Sequence, residues 1–229
     1  MEEPKAVKKW NEVVRLRFQI ITEGGLRVAG SGGSLEIGGV DPNLTVIRNP
    51  LTGEPYLPGS SLKGKLRSVL EKKLGKAIGG EPCKCGNADC LVCTVFGAHM
   101  KPGAASAPTR IVVRDAPLSE TSRNKFLEAV KAGTPVFEEK TENIVDRKAG
   151  TAKHPRTGER VLPGTVFEGE IILHIYEGDP SDKFLNFVRQ GLGIIQETSS
   201  LGASGSRGYG KVRFDNVQTV TLKLDQLTV

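Results

Sequence analysis

The sequence predicts an α+β fold in which a strand–helix–strand unit occurs twice along the chain. Two periodicities support this prediction. Some segments alternate apolar and polar residues, as half-buried strands do, and others repeat apolar residues at helical spacing, as amphipathic helices do. Of the 229 residues, 38% are hydrophobic and 25% are charged, which is ordinary for a globular protein with its own core.

The first strand and the first helix have clear signatures. Residues 13–21 alternate apolar and polar side chains and predict a half-buried strand. Residues 61–74 carry four leucines and a valine at helical spacing and predict a helix. We expect Ser60 or Ser61 to cap the start of this helix and Gly75 to end it, because hydroxyls favour the N-cap and glycine favours the position after the last turn.

The remaining elements follow from the same periodicities. We expect strands at 109–115, 165–176, 209–214 and 217–224, and helices at 118–131 and about 181–196. The helix at 118–131 is expected to face inward through Leu118, Phe126, Leu127 and Val130. The resulting order of strand, helix, strand, strand, helix, strand is the pattern of a ferredoxin-like fold.

Three segments do not fit regular elements of this core. Residues 24–43 are rich in glycine and predict a loop with a short strand, and residues 77–108 contain all the cysteines. Residues 137–161 are charged and turn-rich with few core residues, which indicates a protruding hairpin or a flexible insertion. We therefore expect one domain with three insertions.

Charge and hydropathy restrict the function classes. The formal net charge is +6, and six basic residues face one acid between Lys63 and Lys76, which favours an anionic partner. No apolar run approaches the ~18 residues of a transmembrane helix. The first residues show no apolar core of a secretory signal. We expect a cytoplasmic protein that does not enter a membrane.

The cysteines predict a metal site. They form a C-x-C-x4-C-x2-C pattern within eleven residues: Cys83, Cys85, Cys90 and Cys93. Four thiolates this close suit a structural, tetrahedral Zn²⁺, whereas disulfides would close longer loops. His99 lies six residues after the last cysteine, so it could replace one of the four ligands or be an ordinary loop histidine.

Two glycine-containing segments are typical of phosphate contacts. Gly59–Leu66 nearly matches a nucleotide-binding P-loop, but Leu66 lacks the hydroxyl that would hold magnesium. A helix N-terminus with two serines and nearby basic residues nevertheless suits a phosphate, although it could equally be a capped helix with solvated lysines. Gly202–Gly210 is a second candidate, in which Arg207 could hold a phosphate; otherwise it is a tight connection into a strand.

Asp41 follows the glycine-rich run directly. A carboxylate on a loop can bind a hard cation or move a proton. From chemistry alone the simpler interpretation is a turn, because Asp41 precedes a proline. The predicted strands also lack the exposed aromatic residues on which RNA-recognition motifs stack bases.

Five segments together resemble the RAMP superfamily of CRISPR proteins, and specifically the repeating backbone subunit of type III-A interference complexes. The resemblance extends over about residues 12–216, and its segments are Ile37–Asp41, Pro50–Pro55, Pro58–Arg67, Thr141–Arg147 and Ser204–Val212.

This resemblance implies a filament of subunits on a guide RNA. A palm (12–134 and 163–224) would carry a zinc-binding insertion (77–108), and a thumb (135–162) would wedge between guide and target. Each subunit would cut the paired target RNA once, at regular intervals, with Mg²⁺ or another divalent cation. Partners would be the guide RNA, the target RNA, further copies of the chain and other subunits of the complex.

The resemblance also assigns roles to residues. The loop aspartate that such subunits need for cutting maps to Asp41, and which acid among Glu139, Glu142 and Asp146 assists is open. Guide contacts are expected from Ser60, Ser61, Lys63, Lys65, Arg67 and Arg207. Arg27 stands where many relatives carry histidine; a guanidinium is no base near neutral pH, so phosphate binding suits it better.

Two other function classes compete with this assignment. A non-catalytic guide-RNA scaffold would need no loop aspartate, so Asp41 favours the nuclease. A P-loop-like nucleotide enzyme is disfavoured by Leu66 and by the helical register of the segment around it.

Overall fold

A computed structural model describes residues 8–28, 44–77, 79–101 and 103–226. The strands are β1 (Trp10–Thr22), β2 (Ile111–Val113), β3 (Phe137–Val145), β4 (Ala152–Val161), β5 (Val166–Tyr176) and β6 (Val212–Lys223). The helices are α1 (Gly59–Lys73), α2 (Leu91–Phe96), α3 (Glu120–Ala132) and α4 (Ser181–Thr198). The fold is therefore a mixed α+β fold, as the periodicities predict.

A four-stranded antiparallel sheet forms the centre, with the strand order β2-β5-β1-β6. Because β5 is antiparallel to both β1 and β2, these two strands end at the same edge of the sheet, where β5 and β6 begin. We call this end of the sheet, where the strands meet their loops, the loop edge. Loops that follow β1 and β2, or precede β5 and β6, must meet there.

One face of the sheet is covered by α1 and α4, which pack against each other. The alternating β1 residues all point into this core: Val14, Leu16, Phe18 and Ile20. The inward side of α4 is as predicted, with Phe184, Phe187, Val188, Leu192 and Ile195 buried. At Gly191 an added Cβ would lie 2.9 Å from a Leu66 methyl, so this glycine allows the close helix contact.

The cap expected for α1 is wrong. The helix begins at Gly59, its N-cap residue is Pro58, and no side chain of the cap residue bonds to it. Ser60 and Ser61 instead lie in the first turn. The first amide is satisfied from a distance, because Gly59 N donates to Asp115 Oδ1 at 2.7 Å. The predicted end is confirmed, with Leu74 as C-cap and Gly75 next at a φ of +61°.

The inward side expected for α3 is also partly wrong. Leu127 and Val130 are 36% and 53% exposed, and no residue of this helix is fully buried. The helix touches the rest of the fold along a narrow strip, where Phe126 meets Phe137 edge to face. Leu118 is buried as predicted, but it lies before the helix.

The two strands expected at the C-terminal end are one strand, β6, with an irregularity. The pairing with β1 shifts between Gln218 and Asp215, and Asn216 there has a φ of +51°. This Asp-Asn pair has the composition of a turn, but it forms a bulge that lets the strand continue.

The charged segment forms the predicted hairpin. Strands β3 and β4 make a separate two-stranded antiparallel sheet. Its base is tied to the loop edge, because Leu26 and Val161 exchange hydrogen bonds of 3.1 and 2.7 Å. Among the described helices, none combines the length and apolar character that crossing a membrane requires.

Candidate nucleic-acid interface and metal centre

Most of the predicted RNA contacts belong to segments that meet at the loop edge. Arg27 follows β1, Arg207 precedes β6, and α1 begins beside the end of β2, where a Cβ on Gly59 would lie 2.2 Å from Val113 O. The hairpin base reaches the same edge through Leu26. The sheet topology therefore gathers segments that are far apart in the sequence.

The glycine loop before β6 crosses the segment after β1 at backbone contact distance. Gly210 N donates to Gly25 O, and Ala203 N donates to Arg27 O, both at 2.9 Å. A Cβ on Gly202 would lie 2.2 Å from Arg27 O, and this glycine has a φ of +70°. The close crossing therefore requires glycine here.

One hydroxyl bonds to both arginines that the sequence predicts to contact phosphate. Ser204 Oγ accepts a hydrogen bond of 3.3 Å from Arg27 and a shorter one from Arg207. Arg27 is buried at 9% exposure, whereas the Arg207 side chain is 59% exposed. Arg27 thus supports the loop from within, and Arg207 extends from it toward solvent.

A cleft of about 120 Å³ lies between this loop and the hairpin, and we call it the basic cleft. Its charged and aromatic lining among the described residues comprises Arg27, Lys140, Glu142, His154, Arg156, Arg207 and Tyr209. Glu142 is the acidic member of this set. His154 also belongs to this lining. Such a lining suits a polyanion.

The sequence motifs do not include Lys140, Arg156 and Tyr209 of this lining. A sequence signal exists for Lys140, because Glu138, Lys140 and Glu142 alternate along β3 and share one face. Which face of a hairpin turns to the core is set by tertiary contacts. Here Arg160 of β4 pairs with Glu138 and lies 4.9 Å from the Tyr209 ring centroid.

The residues at the start of α1 differ in their availability. Ser60 is exposed, while Lys63 is half-buried with Nζ 3.5 Å from Ile111 O. Burial, and then the charge of Arg67, lowers the pKa of Lys63; burial, and then Lys72, lowers that of Lys65. A bound anion would favour the charged form of both lysines.

The Arg67 side chain makes hydrogen bonds within the protein. Its guanidinium donates to Glu71 Oε1 and to Cys83 O, both at 2.8 Å. The near-match to a P-loop is also explained, since the segment is helical from Gly59 onward and forms no loop around a phosphate.

Asp41 lies outside the described residues. The described chain on either side of it is placed, however. Ile47 N donates to Val28 O at 3.0 Å, and Leu44, three residues after Asp41 in the sequence, lines the basic cleft. Residues 46–48 are held to the hairpin by Glu159, which accepts a hydrogen bond of 3.3 Å from Val46 N and pairs with Arg48.

The four cysteines come together as the spacing predicts. Their Sγ atoms all lie within 4.8 Å of one another, and four of the pairs are 3.6 to 3.9 Å apart. Tetrahedral ligation with metal–sulfur bonds of about 2.3 Å places sulfurs about 3.8 Å apart. The thiols therefore fit a metal ion such as zinc.

The surroundings of the cysteines shift the pKa values of their thiols. Burial raises the pKa of Cys93 to about 12, whereas a hydrogen bond from the Asn87 backbone lowers that of Cys85 to about 7. Among the described residues, the group that could hold a metal contains the four cysteines and not His99, whose amide lies 3.4 Å from Cys83 O.

Comparisons with known proteins agree with this architecture. Residues 28–213 match the RAMP superfamily model. The chain is 41% identical over 215 residues to the CRISPR system Cms endoribonuclease Csm3 of Methanothermobacter thermautotrophicus, covering 87% of this chain and 82% of that protein. It is 35% identical over 222 residues to the Csm3 of Methanocaldococcus jannaschii, covering 91% of this chain and 84% of that one.

A solved structure of a Csm3-containing complex is also similar to this chain. A chain from the Csm3-Csm4 subcomplex of the type III-A CRISPR-Cas interference complex aligns with a TM-score of 0.60 and 27% identity, covering 95% of this chain and 83% of that chain. With a family model over most of the sequence and relatives well above 30% identity, the chain belongs to the RAMP superfamily and, within it, to the Csm3 family.

Proposed function

We propose that this chain is the guide-RNA-binding backbone subunit of a cytoplasmic type III-A CRISPR complex and cuts complementary target RNA at regular intervals. The observation that carries the proposal is the basic cleft, where the glycine loop, the hairpin and the chain next to the Asp41 segment meet. The relatives are named endoribonucleases, which supports the catalytic form of this role.

The proposed palm is ferredoxin-like and comprises 12–134 and 163–224. The strand order β2-β5-β1-β6, with α1 and α4 on one face, supports it. The thumb, 135–162, contains the separate hairpin, and the insertion 77–108 contains the cysteines. Zn²⁺ is the proposed structural ion there, because four thiolates at tetrahedral spacing suit it.

The proposed recognition relies on phosphates and shape. Base pairing between guide and target supplies the sequence specificity, so the protein needs cationic contacts to the backbone rather than groups that read bases. Arg207 and Lys140 provide them in the basic cleft, and Arg27 fixes the loop that presents Arg207. Ser60, Ser61, Lys63 and Lys65 of α1 extend the same edge, and Arg67 supports it from inside.

Asp41 is the proposed catalytic residue. The neighbouring 2′-hydroxyl of the target would attack the phosphate, and the protein would hold the strand in line for that attack. A divalent cation such as Mg²⁺, held with the help of Asp41, would offset the charge that develops on the phosphate.

The direct test is a complex reconstituted with guide RNA, a complementary labelled target and Mg²⁺. Asp41→Ala and Asp41→Asn should retain target binding and lose the evenly spaced cuts. Asp182→Ala, in the first turn of α4 at the opposite edge of the sheet, is the matched control and should cut normally. An unchanged ladder with Asp41→Ala would remove Asp41 from catalysis. A wild-type complex that binds without cutting would instead support the scaffold function.

A further inference from the structure

Two cations and one carboxylate converge inside the basic cleft. Glu142 Oε2 lies 3.3 Å from Arg207, and Glu142 Oε1 lies 3.6 Å from Lys140 Nζ. Lys140 Nζ also donates to Arg207 O at 3.2 Å. The carboxylate thus stands between a lysine of the hairpin and an arginine of the glycine loop, and it holds these two elements together.

Tyr209 lies under this cluster. Its ring is buried at 4% exposure, and Lys140 Nζ lies 4.5 Å from the ring centroid. Its phenol hydroxyl is a donor at neutral pH, and burial, and then the charge of Glu142, raises its pKa further. A guanidinium, an ammonium and a phenol hydroxyl are donors suited to a phosphodiester.

The rest of the described lining does not supply another acid. Arg27, Arg156 and His154 complete the polar wall, and Glu142 is the carboxylate among the described lining residues. Its side chain is 27% exposed, so it can turn to solvent without crossing the core.

We propose that Lys140, Arg207 and Tyr209 form a phosphodiester subsite for RNA, and that the Glu142 carboxylate fills this subsite in the absence of RNA. This inference rests on the proposed function. An entering phosphate takes the two cations and Glu142 moves out to water. The Glu142 carboxylate therefore competes with the RNA phosphate and lowers the affinity of the wild-type protein for RNA.

The hairpin offers a matched control three residues away. Glu139 is exposed and lies on the opposite face of β3, because side chains alternate along a strand. Changing either glutamate to glutamine removes one negative charge from the same strand. Only the change at position 142 removes the competitor.

The experiment titrates full-length protein into a fluorescently labelled single-stranded oligouridine and follows anisotropy at several salt concentrations. Glu142→Gln should bind about three- to tenfold more tightly than wild type, and Glu139→Gln should change affinity by less than about twofold. The salt dependence of Glu142→Gln should steepen by up to about one unit in log–log slope, since no carboxylate is released on binding. Adding Lys140→Gln to Glu142→Gln should cancel most of the gain.

Several results would overturn the inference. If Glu142→Gln binds like Glu139→Gln, Glu142 does not compete with RNA. If it binds more weakly than wild type, Glu142 positions Arg207 for RNA rather than blocking it. Glu142→Ala should repeat the direction of Glu142→Gln. If wild type and all variants fail to bind, the proposed function itself fails, which is a distinct outcome from binding without a difference between variants.

Discussion

The Glu71 carboxylate of α1 accepts a hydrogen bond of 2.8 Å from the amide of Cys83. The same oxygen accepts from Arg67 Nε, and Arg67 donates to Cys83 O, so one ion pair holds both polar groups of the first cysteine's backbone. Glu71 is buried at 4% exposure. The loop edge and the cysteine loop are therefore coupled through one helix.

Removing Glu71 should destabilise the fold. Glu71→Ala leaves the Arg67 guanidinium and the Cys83 amide without their acceptor, at a buried site where water cannot replace it. We expect this change to lower the free energy of unfolding by about 3 kcal/mol. Glu81→Ala, which breaks an exposed ion pair with Lys84 on the same loop, should leave the free energy of unfolding nearly unchanged. Urea unfolding of the metal-loaded protein measures both, and equal costs would contradict the coupling.

The cysteine cluster should hold one metal ion per chain. Elemental analysis is expected to find zinc at equimolar amount in wild type and little in Cys93→Ser, because the fourth thiolate closes the tetrahedron. Removing the ion with a chelator should increase hydrogen exchange at α2, whereas β1 and β5 keep their protection. Full zinc content in Cys93→Ser would show that these four thiols are not the ligand set.

The buried Arg110–Asp179 pair should contribute stability that depends on pH. Both side chains are nearly inaccessible, at 1% and 4%, with Nε and Oδ2 2.8 Å apart. Burial by itself raises the pKa of Asp179, but the hydrogen bonds from Arg110 and the Tyr176 amide outweigh it and hold this pKa below its usual value. The stabilisation is complete above the unfolded pKa of about 3.9 and is lost as pH falls through the lower folded pKa.

Asp179→Asn should therefore lower stability by about 3 kcal/mol near neutral pH and by much less in strong acid. Urea unfolding across the acid range measures this difference. The control is Arg123→Gln, which breaks a pair with Glu54 in which the arginine is 54% exposed, and it should change stability little at any pH. A wild-type and Asp179→Asn difference that stays constant into acid would exclude this role.

Two glycines of α1 should respond in opposite directions to alanine. A Cβ on Gly59 would lie 2.2 Å from Val113 O, whereas a Cβ on Gly64 would meet nothing within 4 Å. Gly59→Ala should force α1 away from β2 and destabilise by more than about 2 kcal/mol. Gly64→Ala should stabilise by up to about 1 kcal/mol, since alanine favours the helix interior. Thermal unfolding compares them directly, and a shared sign would refute this view of the contact.

The sequence predicted best those elements whose apolar side chains recur at a regular spacing. The alternation in β1 and the apolar stripe of α4 face one continuous core, so periodicity alone identified their buried sides. The cysteine cluster was predictable because its ligands are close in sequence. The hairpin was predictable because its charged strands bury little.

The features that the sequence did not predict depend on distant residues. The cap of α1 comes from Asp115, 56 residues after Gly59, so local capping rules chose the wrong groups. Leu127 and Val130 have helical spacing, but little of the fold covers α3. The basic cleft arises where β3 meets the glycine loop, so the placement of Lys140 beside Arg207 had no local signal.

We infer that the loop edge binds RNA through its phosphates. The most direct measurement is the salt dependence of oligouridine binding by wild type, Arg207→Gln and Lys223→Gln. Lys223 lies at the end of β6, at the opposite edge of the sheet, and gives the same change in charge. Arg207→Gln should weaken binding about tenfold and reduce the log–log salt slope by about one, while Lys223→Gln stays within about twofold of wild type. Equal effects of the two substitutions would contradict the claim.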